Sequence, residues 1–393
     1  MREEIQSSAR SRRTLLKTIG GAAFLGVSAG VLPLFGTPSK KQTPRSCPST
    51  DRSATDKELI VSNWQSYIDP VDKPESTLAV FERQTGITVH YSDDVTDNQA
   101  FFAKVVNQLG SCQSVKRDLF VLTDWAVSRM MKLGWLQQLD HANLANVDAN
   151  LLPQLRQIAF DPGRKYSVPW QSGFTGIAYN AALVPEVGSF RELLTREDLR
   201  GRVTLLTEMR DTMGFMLRLV GADTLDFDER SWAAAIELIA DARNRGQIRA
   251  FTGNEYTRDL AAGNIAACAA WSGDVIQLRF DNPDIRFVVP EEGLYMWSDN
   301  AVVPNRASHK ANAERWINYY YDPEVAARTA AYVNYICPVA GARAAMERIA
   351  PELVDNPLIF PSDDFLDKAF QFMPLEETQA KLYERDFADA IGG

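Results

Sequence analysis

Glu58-Leu59-Ile60-Val61-Ser62-Asn63-Trp64-Gln65-Ser66-Tyr67 sets the architecture of this chain. Its first half is a short apolar run that predicts a buried strand, and its second half is a polar, ring-bearing segment that predicts a loop leaving the strand's carboxyl end. Residues 74–85 follow with amphipathic helical spacing closed by Gly86, and a second strand is expected over 87–91. A helix over 98–109 puts Phe101, Phe102, Val105 and Val106 on one face, ahead of a third strand over 118–122. Strand alternating with helix is the pattern of a parallel sheet covered by helices.

Downstream, residues 166–180 break the rhythm with an extended segment containing Pro169. A second α/β unit opens at 201–206 and runs through a helix from about Asp211, a helix over 229–244, and strands over 265–271 and 285–289. Further helices are expected over 323–333 and from Glu376 onward. This order predicts an α/β protein of two lobes joined by extended crossings, with residues 58–167 and 296–343 in one lobe and 168–295 and 344–393 in the other. A chain of 393 residues is too long for one ordinary core, which agrees.

The formal charge of −9 argues against a nucleic-acid surface, which needs Lys and Arg gathered on one face. At the N-terminus, Ser11-Arg12-Arg13-Thr14-Leu15-Leu16-Lys17 precedes an apolar, Gly/Ala-rich stretch, so residues 1–36 read as a twin-arginine export signal. Several glycines and Pro33 would make a poor buried helix there. Removing that segment takes away five basic and two acidic residues and moves the charge from −9 to −12. Residues 37–57, rich in Pro, Ser, Thr and Lys, read as a linker.

No later segment offers the roughly 18 uninterrupted apolar residues a spanning helix needs, so the expected location is the periplasm or the outer face of the cytoplasmic membrane. Arg45 just before Cys47 argues against lipid attachment at that cysteine. The four cysteines have no zinc or redox spacing. Cys47 lies ahead of the first strand and Cys112 at the end of the second helix, hence at the same end of one lobe. That pair is therefore the candidate disulfide.

Open α/β sheets bind ligands beyond the carboxyl ends of their strands. The residues standing there combine rings with acids: Trp64, Ser66 and Tyr67; Thr123, Asp124 and Trp125; Glu208 and Asp211; Trp271 and Asp274; Trp297 and Asp299; and Tyr335. Each has an ordinary explanation alone, since Glu208 and Asp211 suit a helix N-terminus, the tryptophans suit a core, and Asp274 and Asp299 suit turns. Their joint placement at one edge is what core filling would not produce. Carboxylates at intervals between flat apolar walls match a polyamine, whose ammonium groups are separated by methylenes.

These stretches resemble the bacterial extracellular spermidine/putrescine-binding proteins of polyamine ABC transporters, a family of type II periplasmic binding proteins. The resemblance runs from about Leu59 to the C-terminus. It is carried by Ser62-Asn63-Trp64-Gln65-Ser66-Tyr67, Phe81-Glu82-Arg83-Gln84-Thr85-Gly86-Ile87, Tyr166-Ser167-Val168-Pro169-Trp170, Asp259-Leu260-Ala261-Ala262-Gly263, Trp271-Ser272-Gly273-Asp274, Pro290-Glu291-Glu292-Gly293 and Trp297-Ser298-Asp299-Asn300-Ala301-Val302-Val303-Pro304. It implies an interlobe cleft lined by Trp64, Tyr67, Trp125, Trp271, Trp297 and Tyr335, with Glu208, Asp211, Asp274 and Asp299 on the amines. It also implies hinge closure about crossings near Val168, Pro304 and Ala342, and an ABC permease as membrane partner.

Trp125 stands where the family often has Tyr, Gln65 and Ser66 replace a hydroxyl or an acid, and Asp124 adds a carboxylate. Gln371, which would match a polar ligand residue, is left out of the set. The number of acids leans toward spermidine over putrescine. A monomer without cofactor is expected. The rival readings are a receptor for another organic cation and an exported enzyme such as a glycosidase, for which Glu208 and Asp211 would be the acid pair. The scattered His90, His141 and His309 and the lack of a dinucleotide or nucleophile-elbow motif disfavour the enzyme.

Overall fold

A computed structural model describes residue 47, residues 49–156, residue 158 and residues 160–392. The twin-arginine reading of residues 1–36, and most of the linker reading of 37–57, concern residues outside that set. The opening stretch forms β1 (Glu58–Trp64), followed by the helix Thr77–Thr85, β2 (Thr88–Val95), the helix Asn98–Gly110 and β3 (Leu119–Thr123). Gly86 at φ 67 ends the first of these helices, in the left-handed conformation that a side chain disfavours. Asp97 begins the second, its side chain accepting from the Ala100 N–H.

The segment read as extended is β4 (Ser167–Asn180), a strand of 14 residues buried along its whole length. Beyond it come β5 (Val203–Leu206), β6 (Ile248–Thr252), β7 (Ala267–Trp271), β8 (Ile285–Val288), β9 (Leu294–Val302) and the short β10 (Ala369–Phe370). The sheet order is β2-β1-β3-β9-β4-β7-β5-β6, with β8 on β4 and β10 on β9. β1 is parallel to β2 and β3, and β5 is parallel to β6 and β7.

Between these two parallel groups run β4 and β9, antiparallel to each other from Ser167↔Val302 to Thr175↔Tyr295. β9 meets β3 over Asp299–Val302, and β4 meets β7 over Thr175–Tyr179. One end of the β4–β9 ribbon therefore adjoins the first parallel group and the other end adjoins the second, within one continuous sheet. That is the architecture of a two-lobed type II periplasmic binding protein, with a cleft where the ribbon passes between the lobes.

Trp297, Ser298 and Asp299 were expected in a loop after a strand. They lie within β9, and the alternation of a strand sends Trp297 and Asp299 to the same face. β6 went unread because its five residues include the exposed Arg249 and only one of them, Ile248, is fully buried. At the base of the first lobe, a disulfide joins Cys47 to Cys112 across 65 positions, with Cα atoms 5.7 Å apart. Nearby, Asp118 accepts from the backbone N–H groups of Ile60, Ser308 and His309 and so ties β1 to the segment after β9. No helix among the described residues is long and apolar enough to cross a membrane.

Candidate binding site

The two parallel groups point their carboxyl ends at one cavity of about 420 Å³. Trp64, Tyr67, Thr123, Glu208, Asp211, Trp271, Asp274, Trp297, Asp299 and Tyr335 all line it, together with Gln65, Asn98 and Asn254. The rings meet edge to face: Trp64 with Trp271 at 6.4 Å, Tyr67 with Tyr335 at 5.4 Å, and Trp297 with Tyr335 at 5.4 Å between centroids. Edge-to-face contact fixes each ring while leaving ring faces to form walls. Two glycines permit this crowding. A Cβ on Gly173 would stand 2.5 Å from Trp297 Cζ2 and 2.8 Å from Tyr335 Cδ1, and one on Gly273 would collide with the Tyr335 ring.

Every carboxylate in the cavity is aimed by neutral donors. Asp299 accepts from the Tyr67 hydroxyl on Oδ2 and the Thr123 hydroxyl on Oδ1, each at 2.7 Å. Asp211 Oδ1 accepts from the Thr175 hydroxyl at 2.5 Å and from Trp271 Nε1 at 2.9 Å. Thr175 in turn accepts from Trp297 Nε1 at 3.0 Å, so two tryptophans and one acid share a single network. Asp274 takes Tyr335 OH at 2.9 Å on Oδ1, with Tyr256 OH at 2.8 Å and Asn254 Nδ2 at 2.9 Å on Oδ2. Glu208 Oε1 accepts from both the backbone N–H and Nδ2 of Asn98, at 3.0 and 2.9 Å.

Among the described residues, no basic side chain lines this cavity. Four buried carboxylates without a cation are costly, and the cost appears as protonation. Burial lifts the Asp299 carboxyl to about 7, with the neighbouring Asp124 and Asp211 adding to it against the pull of Thr123 and Tyr67. Burial likewise lifts Asp211 to about 6 and raises Asp274 and Glu208 above the ordinary carboxylate range. A multiply charged cation entering here would draw all four acids into their ionised form.

Three of the expected residues stand elsewhere. Ser66 is exposed at φ 55, in a left-handed turn that directs its neighbour Tyr67 inward. Asp124 accepts from Asn300 Nδ2 at 2.6 Å, because it opens the helix Asp124–Lys132 and that first turn swings it behind β9. Trp125 lies one residue further around the same turn, under the Arg210 guanidinium at 4.1 Å, and lines a different cavity. Gln371 is exposed and contributes its backbone carbonyl to Thr224. Asn98 and Asn254 were not anticipated. Their only signal was an asparagine at a strand-to-helix junction, which reads equally well as a turn residue.

The model of one family, described as bacterial extracellular solute-binding protein, matches residues 77–361. The chain belongs to that family. This solute-binding protein is 27% identical over 311 residues to a spermidine/putrescine-binding periplasmic protein of Salmonella typhimurium, covering 79% of the chain and 85% of the relative. It is 29% identical over 341 residues to a putrescine-binding periplasmic protein of Escherichia coli, covering 81% and 87%. Among solved structures, a putative spermidine/putrescine ABC transporter from Listeria monocytogenes superposes with a TM-score of 0.75 at 28% identity, over 85% of this solute-binding protein and 99% of that chain.

Proposed function

We propose that this solute-binding protein is the receptor subunit of a polyamine ABC importer, that it takes spermidine in preference to putrescine, and that it hands the ligand to a membrane permease outside the cytoplasm. One observation carries the reading: Glu208, Asp211, Asp274 and Asp299 are buried together between aromatic rings, and no basic side chain among the described residues lines their cavity. Ammonium groups supply the missing charge, and the faces of Trp64, Trp271, Trp297 and Tyr335 cover the methylenes between them. Each ammonium over a ring contributes roughly 0.5 to 2 kcal/mol. Four acids suit three ammonium groups better than two, and the spermidine/putrescine-binding and putrescine-binding relatives support the polyamine class.

Binding begins on an open form and ends with rotation about the β4–β9 ribbon, which excludes water and strengthens each ammonium–carboxylate contact. The same reading divides the chain into residues 58–167 with 296–343 and residues 168–295 with 344–393. The strand flanking the ribbon changes from β3, whose pairing ends at Asp299 opposite Gln171, to β7, whose pairing begins at Thr175, and this supports a crossing in that neighbourhood. The protein acts as a monomer that binds no nucleic acid and performs no chemistry on its cargo.

Native mass spectrometry of the purified protein, followed by titration calorimetry with spermidine and putrescine, tests this. A co-purified polyamine mass and tighter spermidine binding are expected. A betaine, cationic amino acid or sugar mass would replace the polyamine assignment, and tighter putrescine binding would remove the preference.

A further inference from the structure

A second cavity, larger than the first at about 1340 Å³, adjoins the slot, and Glu208 is the residue that lines both. The wall between them is built from neighbouring residues of the same loops. Asn98, Asp211 and Asn254 face the slot, whereas Asp97, Arg210, Gly253 and Glu255 face the outer chamber. The partition closes where Glu208 Oε1 receives Asn98 from the other lobe, while Glu208 Oε2 receives no hydrogen bond from the described residues although Glu208 is only 6% exposed.

The chamber, like the slot, combines carboxylates with aromatic rings, but it also carries one base. Four carboxylates line it, those of Asp97, Glu208, Glu255 and Glu384, against the single base Arg210. Arg210 is laid flat on Trp125, and Glu384 is already paired with Arg129. Trp125 and Phe251 give apolar wall, and the buried Thr252 hydroxyl, which also lines the chamber, has no hydrogen-bond partner. An orphaned buried hydroxyl loses free energy that a ligand donor restores, and Glu208 Oε2, open to the cavities, is free to accept a donor from the same ligand.

We infer that the binding site continues past Glu208 into this chamber, and that the chamber takes the far end of a linear amine longer than a triamine, with Glu208 holding the internal ammonium at the doorway. This rests on the polyamine reading of the slot. A diamine fills only the slot and leaves the Asn98–Glu208 contact in place. A tetraamine displaces Asn98 from Glu208, runs along Trp125 and Phe251, and sets its terminal ammonium against Asp97 and Glu255.

Titration calorimetry with putrescine, spermidine and spermine at fixed ionic strength decides it, on the full exported chain and on two variants. Ala388→Trp, on the partly buried face of the C-terminal helix, fills the chamber without changing charge. Asp97→Asn with Glu255→Gln removes charge while Asn keeps the helix cap. Both variants should weaken spermine at least tenfold and leave putrescine within twofold, with unchanged thermal unfolding of the free protein. Spermine binding that survives Ala388→Trp, or a loss shared equally by putrescine, overturns the chamber and leaves the slot standing. If the wild-type chain binds none of the three amines, the polyamine reading falls and the chamber inference with it.

Discussion

The Tyr67 hydroxyl donates to Asp299 Oδ2 at 2.7 Å, joining the loop after β1 to the middle of β9 across 232 positions of sequence. The contact aims a carboxylate of 3% exposure into a cavity with no base on its walls. Asp299→Asn keeps the shape and removes the charge. It should weaken spermidine binding at least tenfold, about 1.4 kcal/mol or more, without lowering the unfolding temperature of the free protein. Calorimetry paired with a thermal melt checks this, and an unchanged dissociation constant takes Asp299 out of the site.

Acidity should oppose the ligand. The Asp299 and Asp211 carboxyls of the free protein sit near 7 and 6, so a polycation arriving at neutral pH must displace protons. Affinity should fall as pH drops from about 7.5 to 5.5, and binding heats should differ between buffers of different ionisation enthalpy. The free protein should show the opposite trend in stability. Carboxyls raised in the folded state stabilise it fully below their unfolded value of about 4, and that contribution is lost as pH rises through 6 to 7. Melts of free and spermidine-loaded protein across this range should diverge as pH increases.

Space, not charge, is tested at Gly173. Its missing Cβ is where Trp297 and Tyr335 approach β4. Gly173→Ala should force both rings outward, costing about 1 to 3 kcal/mol of stability by overpacking and weakening ligand binding at the same time. Denaturant unfolding and calorimetry on one preparation would separate this from a purely local effect, which would leave stability unchanged.

The Cys47–Cys112 bridge closes a long loop. In the chain-entropy description a bridge over 65 positions is worth about 4 kcal/mol, and losing a native disulfide typically costs about 2 to 5. Reduction, or Cys47→Ser with Cys112→Ser, should lower the unfolding temperature while leaving polyamine affinity within twofold, because the bridge is remote from the rings and acids. A melt in the presence and absence of reductant reads this directly.

Much of the fold was legible because its parallel strands are short, apolar and punctuated by amphipathic helices, as in β1 and β3. The antiparallel ribbon was harder. β4 carries Pro169, Gly173 and Gly176, which weaken any strand reading, and β9 mixes Ser298, Asp299 and Asn300 into its centre, where burial on both faces leaves no alternation to detect. For the site, chemistry-bearing residues at strand ends were visible in sequence, but their direction was not. Thr123 faces the cavity, whereas the next two residues are carried away by the first turn of a helix, one to Asn300 and one beneath Arg210. Sequence spacing places such side chains at an edge; only the backbone's local turn decides which of them look inward.

The shared ribbon has a consequence for how the chain matures. β3 lacks its second neighbour until Leu294–Val302 has left the ribosome, and β4 lacks the strand it meets in eight residue pairs between Ser167 and Thr175 for equally long. The group β1–β3 cannot be completed from a contiguous stretch of polypeptide, whereas β4 to β9 all lie within residues 167–302, so the first half of the fold waits for the second to be translated. A nascent fragment halted before residue 294 leaves β3 and β4 each with a bare edge, open to pairing with another chain until β9 emerges.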